Sequence, residues 1–141
     1  MSLINNKAGI QPVLRDEFDL RDKAMSGDLV WVVTPATVDT TATEAAWERT
    51  VHVELQTAAG EVHEWFSDAI ATGNSIDDAG GGTATIVSTT LTIVNGQADV
   101  VVSGDSATWA ADETDTYTVA EATILGYTVA EVTSVETFVA A

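Results

Sequence analysis

From Asp28 onward the chain is written in short alternating runs of apolar and polar residues, broken by turn-forming residues, the pattern of pleated strands with one buried face. Leu29–Thr34 (LVWVVT) predicts a strand that Pro35 stops. Thr50–Gln56 alternates cleanly: Val51, Val53 and Leu55 face one way, and Thr50, His52, Glu54 and Gln56 the other. Ala58-Ala59-Gly60 predicts a turn, with Glu61–Phe66 returning as a strand. Thr83–Val87 is a further strand. Thr89–Val94 and Gln97–Ser103 flank Asn95-Gly96, a strong hairpin signal that aligns Leu91 and Ile93 with Ala98, Val100 and Val102 on one buried face. Thr114–Ala120 and the tail Tyr127–Val139 complete about seven to nine strands. The Thr/Ala-rich stretch Thr37–Ala46 reads as a connection, and Asp77–Gly82 (DDAGGG) as a loop, because consecutive glycines are costly inside a regular element. Many short strands without long crossover helices predict an all-β fold, an antiparallel β-sandwich.

Residues 1–27 follow a different pattern. Residues 1–10 show no periodicity and predict an arm, and residues 12–25 predict a short helix, with Pro12 at its start and Gly27 past its end. Glu17 with Arg21, and Asp19 with Lys23, stand at the helical i,i+4 spacing, and Leu14, Phe18 and Met25 share one face. The expected organisation is an arm over 1–27 and a sandwich domain over 28–141.

Charge sharpens this division. The 141 residues carry 22 Asp+Glu against 5 Lys+Arg, a formal charge of −17. All five cations, Lys7, Arg15, Arg21, Lys23 and Arg49, lie in the first 49 residues, whereas Thr50 to Ala141 holds 14 acids and no cation. Residues 1–27 balance four cations with four acids. Such a body has no basic stripe to neutralise phosphates, so nucleic acid is excluded as a partner, and anionic membrane surfaces are repelled. No apolar run reaches the roughly 20 residues of a membrane-spanning helix, and residues 1–10 lack the apolar core of a secretory signal. Cysteine is absent, which removes disulfides, thiolate zinc sites and a cysteine nucleophile.

Two stretches resemble a known family. Thr50-Val51-His52-Val53-Glu54-Leu55-Gln56-Thr57-Ala58-Ala59-Gly60-Glu61-Val62 is similar to the strand-and-turn opening of bacterial immunoglobulin-like domains of the invasin/intimin type, and Thr92–Ser103 to their Asn-Gly hairpin. Gly104–Trp109, Asp112–Thr114 and His63–Ser67 resemble versions found in tailed-phage structural proteins. The resemblance covers roughly residues 30–139 and implies an immunoglobulin-like sandwich. Thr57 departs from it, standing where the family often carries an acid, and Glu and Asp replace the family's usual basic strand residues.

Chemistry is sparse. His52 and His63, on predicted adjacent strands, invite a metal reading with Glu54, Glu61 or Glu64, but no third ligand has characteristic spacing and solvated side chains are the expected state. Asp77-Asp78 lacks the spacing of a calcium loop, the pairs Glu44/Glu48 and Glu61/Glu64 are expected by chance among 22 acids, and Gly80-Gly81-Gly82 has no basic residue to serve a phosphate. Of Trp31, Trp47, Trp65 and Trp109, Trp65 is the one expected to be exposed, where it would stack on a sugar; the others are expected in the core. No catalytic residue, metal or cofactor is therefore expected.

The resemblance and the charge division together imply a non-enzymatic virion structural protein of a tailed phage, decorating or stabilising the capsid exterior. Its partner is the major capsid protein, gripped by the arm through Leu14, Phe18, Met25, Arg15 and Arg21, with a homo-oligomer such as a trimer expected. Extended, such an arm reaches at most about 90 Å. The alternatives are an extracellular adhesion or glycan-binding module and a tail or fibre domain. The acid excess also fits a saline habitat, in which repulsion is screened.

Overall fold

A computed structural model describes residues 29–42, 46–105 and 109–140. Twelve strands run through them: β1 (Leu29–Thr34), β2 (Thr37–Thr41), β3 (Trp47–Thr57), β4 (Asp68–Ile70), β5 (Asn74–Ala79), β6 (Thr83–Ile86), β7 (Leu91–Ile93), β8 (Gln97–Asp105), β9 (Thr114–Val119), β10 (Ala122–Ile124), β11 (Tyr127–Val129) and β12 (Val132–Val139). One four-stranded sheet has the order β1-β3-β8-β6, the other β2-β12-β9-β5, and β4 with β7 and β10 with β11 form two small ribbons. The two four-stranded sheets enclose one core, so the chain is an all-β sandwich built almost wholly of antiparallel pairs. All pairings are antiparallel except β2 with β12. The chain crosses between the sheets after Thr34, so β1 and β2 serve different sheets.

Side-chain alternation explains the register. On β3, Val51, Val53 and Leu55 are buried, and their partners across the ladder are Val100, Ala98 and, on β1, Trp31. On the opposite sheet Tyr117 and Val119 of β9 and Phe138 of β12 face them. Phe138 stacks on Trp109, with ring centroids 4.2 Å apart and 14° between planes, and meets Trp47 at 5.6 Å and 57°. Fully burying side chains of this kind contributes roughly 1.5–3 kcal/mol each. Asn95 (φ 52°) and Gly96 (φ 78°) supply the positive-φ pair of a tight turn between β7 and β8. The expected ladder, however, closes on a single bridge, Val94 to Gln97, because Leu91 and Ile93 of β7 pair with Ile70 and Asp68 of β4 while β8 pairs with β3 and β6. A side chain at Gly96 would run into the His63 carbonyl, so glycine is demanded there twice over.

Three expectations need correction. Thr37–Thr41 is not a connection but β2, because Thr and Val suit a half-buried pleat and the β12 edge offers it a partner. Glu61–Phe66 is not a strand: only Val62 bridges back, to Gln56, before the chain turns. Asp77 and Asp78 are not in a loop but in β5, paired with Thr116 and Asp115. β4 and β10, three residues each, were too short to announce themselves. The helix expected over 12–25, with Leu14, Arg15, Phe18, Arg21 and Met25, lies outside the described residues.

Candidate functional site

The densest polar chemistry is inside the sandwich. Strand β3 alternates, so Arg49 shares the inward face of Val51 and Val53, and its side chain is only 8% exposed. The opposing sheet meets it with a transverse row of acids. Glu136 on β12 is the cross-strand partner of Asp115 on β9, which is in turn the partner of Asp78 on β5. Arg49 Nη2 donates to Asp115 Oδ1 at 2.7 Å and Nε to Glu136 Oε1 at 3.1 Å. Its Nη1 donates to Ser134 Oγ at 2.8 Å, and Ser134 Oγ donates to the Pro35 carbonyl at 2.7 Å. Thr40 Oγ1 on β2 donates to Glu136 Oε2. One guanidinium thus ties β3 to β9 and β12, with β2 and the sheet-crossing segment joined through Ser134 and Thr40.

The electrostatics are lopsided, since two buried carboxyls share one cation. Burial, reinforced by hydrogen bonding and repulsion from Asp115, pushes the Glu136 carboxyl up to about 7, while the Thr40 hydroxyl and Arg49 pull the other way. A protonated Glu136 is a donor, and the neighbouring Asp115 Oδ2 is buried without another hydrogen-bond partner. Near neutrality the cluster can therefore hold one proton between the carboxyls and approach zero net charge. Asp78 is satisfied differently, accepting the Ala84 backbone N–H at 3.0 Å and so linking β5 to β6.

The triple glycine is structural. A side chain at Gly82 would collide with the Trp109 indole, and one at Gly80 with Glu113. Glu113 Oε2 accepts the backbone N–H groups of Gly81 at 3.2 Å and Ala110 at 2.7 Å, so a carboxylate occupies the place where a phosphate cradle would need vacancy. Elsewhere in the core, Tyr117 is fully buried, and burial pushes its hydroxyl up to about 12. Asn74, oriented so that every group is satisfied, donates to the Ser88 and Thr89 carbonyls at 2.8 and 3.2 Å and accepts from the Tyr117 hydroxyl at 3.2 Å.

On the outer face of the first sheet, His52 lies between two carboxylates. Its Nδ1 is 2.7 Å from Asp99 Oδ1, the cross-strand neighbour, and its Nε2 is 3.1 Å from Glu54 Oε2. The Asp99 hydrogen bond leads in raising the His52 pKa above 6.5, with partial burial opposing it and Glu54 adding to it. Both ring nitrogens are committed to carboxylates, so neither is left to activate a nucleophile. His63 is buried rather than on that face. Among the described residues no three His, Asp or Glu side chains converge as metal ligands.

No protein-family model matches the chain, and no curated protein does. Among solved structures it is similar to one described as the structure of WR4, a C. elegans MSP family member, at 10% identity and a TM-score of 0.44, over 77% of this chain and 96% of that one.

Among the mixed corners of the surface is the one at Trp65. Trp65 is 66% exposed, whereas Trp31, Trp47 and Trp109 are buried. With Val94, 59% exposed, and Glu64, Asn95 and Gln97, it lines an open hollow of about 580 Å³ beside the hairpin turn. Trp65 is exposed as expected, though in a turn rather than by alternation along a strand, whereas the sequence pattern was passed over at Arg49, Asp115 and Glu136. Their signal was available: each stands in phase with buried residues, Arg49 with Val51, Asp115 with Tyr117, and Glu136 with Phe138.

Proposed function

We propose that this chain is a non-enzymatic structural protein of a tailed-phage virion, decorating or stabilising the capsid exterior and held there by residues 1–27. The observation that carries the reading is the distribution of cations. Arg49 is the only Lys or Arg among the described residues, and it is spent inside the sandwich on Asp115 and Glu136. The other four, Lys7, Arg15, Arg21 and Lys23, all precede β1, an edge strand that pairs with β3 on one side. The body thus presents carboxylates outward and repels its neighbours' bodies, while the electrically balanced leader is free to approach the major capsid protein. Strand addition beside β1, or Leu14, Phe18 and Met25 seated in a groove, would provide the grip, and oligomers around a lattice axis are consistent with it.

The experiment is retention on particles. Deleting residues 2–27 should strip the protein from purified virions, and the combined L14A/F18A/M25A variant should release more copies than substitutions of body carboxylates. Full retention of the truncated chain would remove the leader from the mechanism.

A further inference from the structure

We infer that the Trp65 corner is a docking site for an arginine side chain presented by a separate, basic protein. Large apolar side chains of this fold are otherwise mostly inside, so an indole two-thirds exposed beside a similarly exposed Val94 is an uncovered surface rather than a packing element. The ledge is also preorganised. The Gly96 N–H donates to the Phe66 carbonyl at 2.7 Å, the Asn95 N–H to Ser67 Oγ at 2.9 Å, and the Leu55 N–H to the Gly96 carbonyl at 2.8 Å. These bonds fasten the segment carrying Trp65 to the β7–β8 turn and to β3, so little ordering remains to be done on binding.

Charge selects the occupant. Glu64 lines the hollow, Asn95 and Gln97 add amide acceptors, and no Lys or Arg side chain of the described residues faces solvent to compete. A guanidinium fits every element: its plane stacks on the indole, its fork pairs with the carboxylate, and its remaining N–H groups meet amide oxygens. The anionic surround concentrates such a partner at long range. A neutral sugar would stack on the indole and donate hydroxyls to Glu64 and the amides, but it carries no charge for the surrounding field to attract, and an acidic sugar would be repelled. This inference is independent of how residues 1–27 are used.

The test is titration of the full chain with hexa-arginine and hexa-lysine peptides, read by calorimetry and by the Trp65 indole N–H resonance. Arginine peptide should move that resonance, bind more tightly than lysine peptide, and lose about 5- to 10-fold in affinity in W65A and less in E64Q. Both substitutions are at the surface, and an unchanged melting temperature verifies folding. Equal binding of the two peptides with no effect of W65A would mean diffuse attraction to carboxylates and would overturn the inference. So would a Trp65 response to neutral oligosaccharides but not to arginine. Sedimentation at rising concentration supplies the last arm: self-association abolished equally by W65A and by R15A/R21A would make the occupant a second copy, and the proposal of a separate partner would fail.

Discussion

Glu136 and Asp115 stand directly opposite each other on β12 and β9, both buried, and share the single guanidinium of Arg49. Like charges placed across a ladder repel, and in a low-dielectric interior the repulsion is relieved by keeping a proton. The sandwich is thus held partly by a cluster whose balance depends on pH.

Substituting Glu136→Gln tests that balance. A carboxyl at about 7 in the folded state and 4.5 ordinarily binds its proton more tightly when folded. Its contribution to stability is therefore full in acid, declines as pH climbs from 4.5 to 7, and is flat above. The Gln variant should flatten that decline and be more stable at pH 8 by on the order of 1 kcal/mol, about 3 °C in Tm. Thermal melts from pH 5 to 8 measure it, and an unchanged pH profile would contradict the shared proton.

Removing Arg49 should be far more damaging. Arg49→Met leaves Asp115, Glu136 and Ser134 facing one another without a cation, at a cost of roughly 3–5 kcal/mol. Arg49→Lys keeps the charge but not the fork, and should fall between the two in denaturant unfolding.

His52 titrates on the outer face. Its pKa, raised above 6.5 by Asp99 and Glu54, means that its ion pairing stabilises the fold below 6.5 and is lost as pH rises through the folded value. In NMR titration, Asp99→Asn should move the His52 pKa downward; no movement would dissociate the pair.

Gly82→Ala should destabilise the fold by about 1–3 kcal/mol through collision with Trp109, which is itself stacked on Phe138. Gly60→Ala meets no neighbouring atom, but φ +91° strains it, so a smaller loss is expected from that variant. Melting both separates overpacking from backbone strain.

A surface whose only Lys or Arg among the described residues is buried should respond to salt. Raising NaCl from 0.05 to 1 M shortens the screening range from over 10 Å to about 3 Å, and the unfolding midpoint should rise. A midpoint indifferent to salt would contradict self-repulsion among the carboxylates.

What the sequence alone determined was alternation. LVWVVT became β1 with the bounds read from it, Asn95-Gly96 made its tight turn although the strands on either side pair elsewhere, and Val51, Val53 and Leu55 went inward together, because a period of two is set by local backbone geometry and needs no partner. The same phase also pointed Arg49, Asp115 and Glu136 inward, yet composition argues that charges belong outside, and only the meeting of two sheets shows one side chain satisfying the other two. Tertiary structure also decided that Asp77 and Asp78 lie in a strand and that Thr37–Thr41 pairs in parallel. A weak strand exists when a neighbouring edge offers hydrogen bonds to its backbone, and that offer comes from residues far away in the chain.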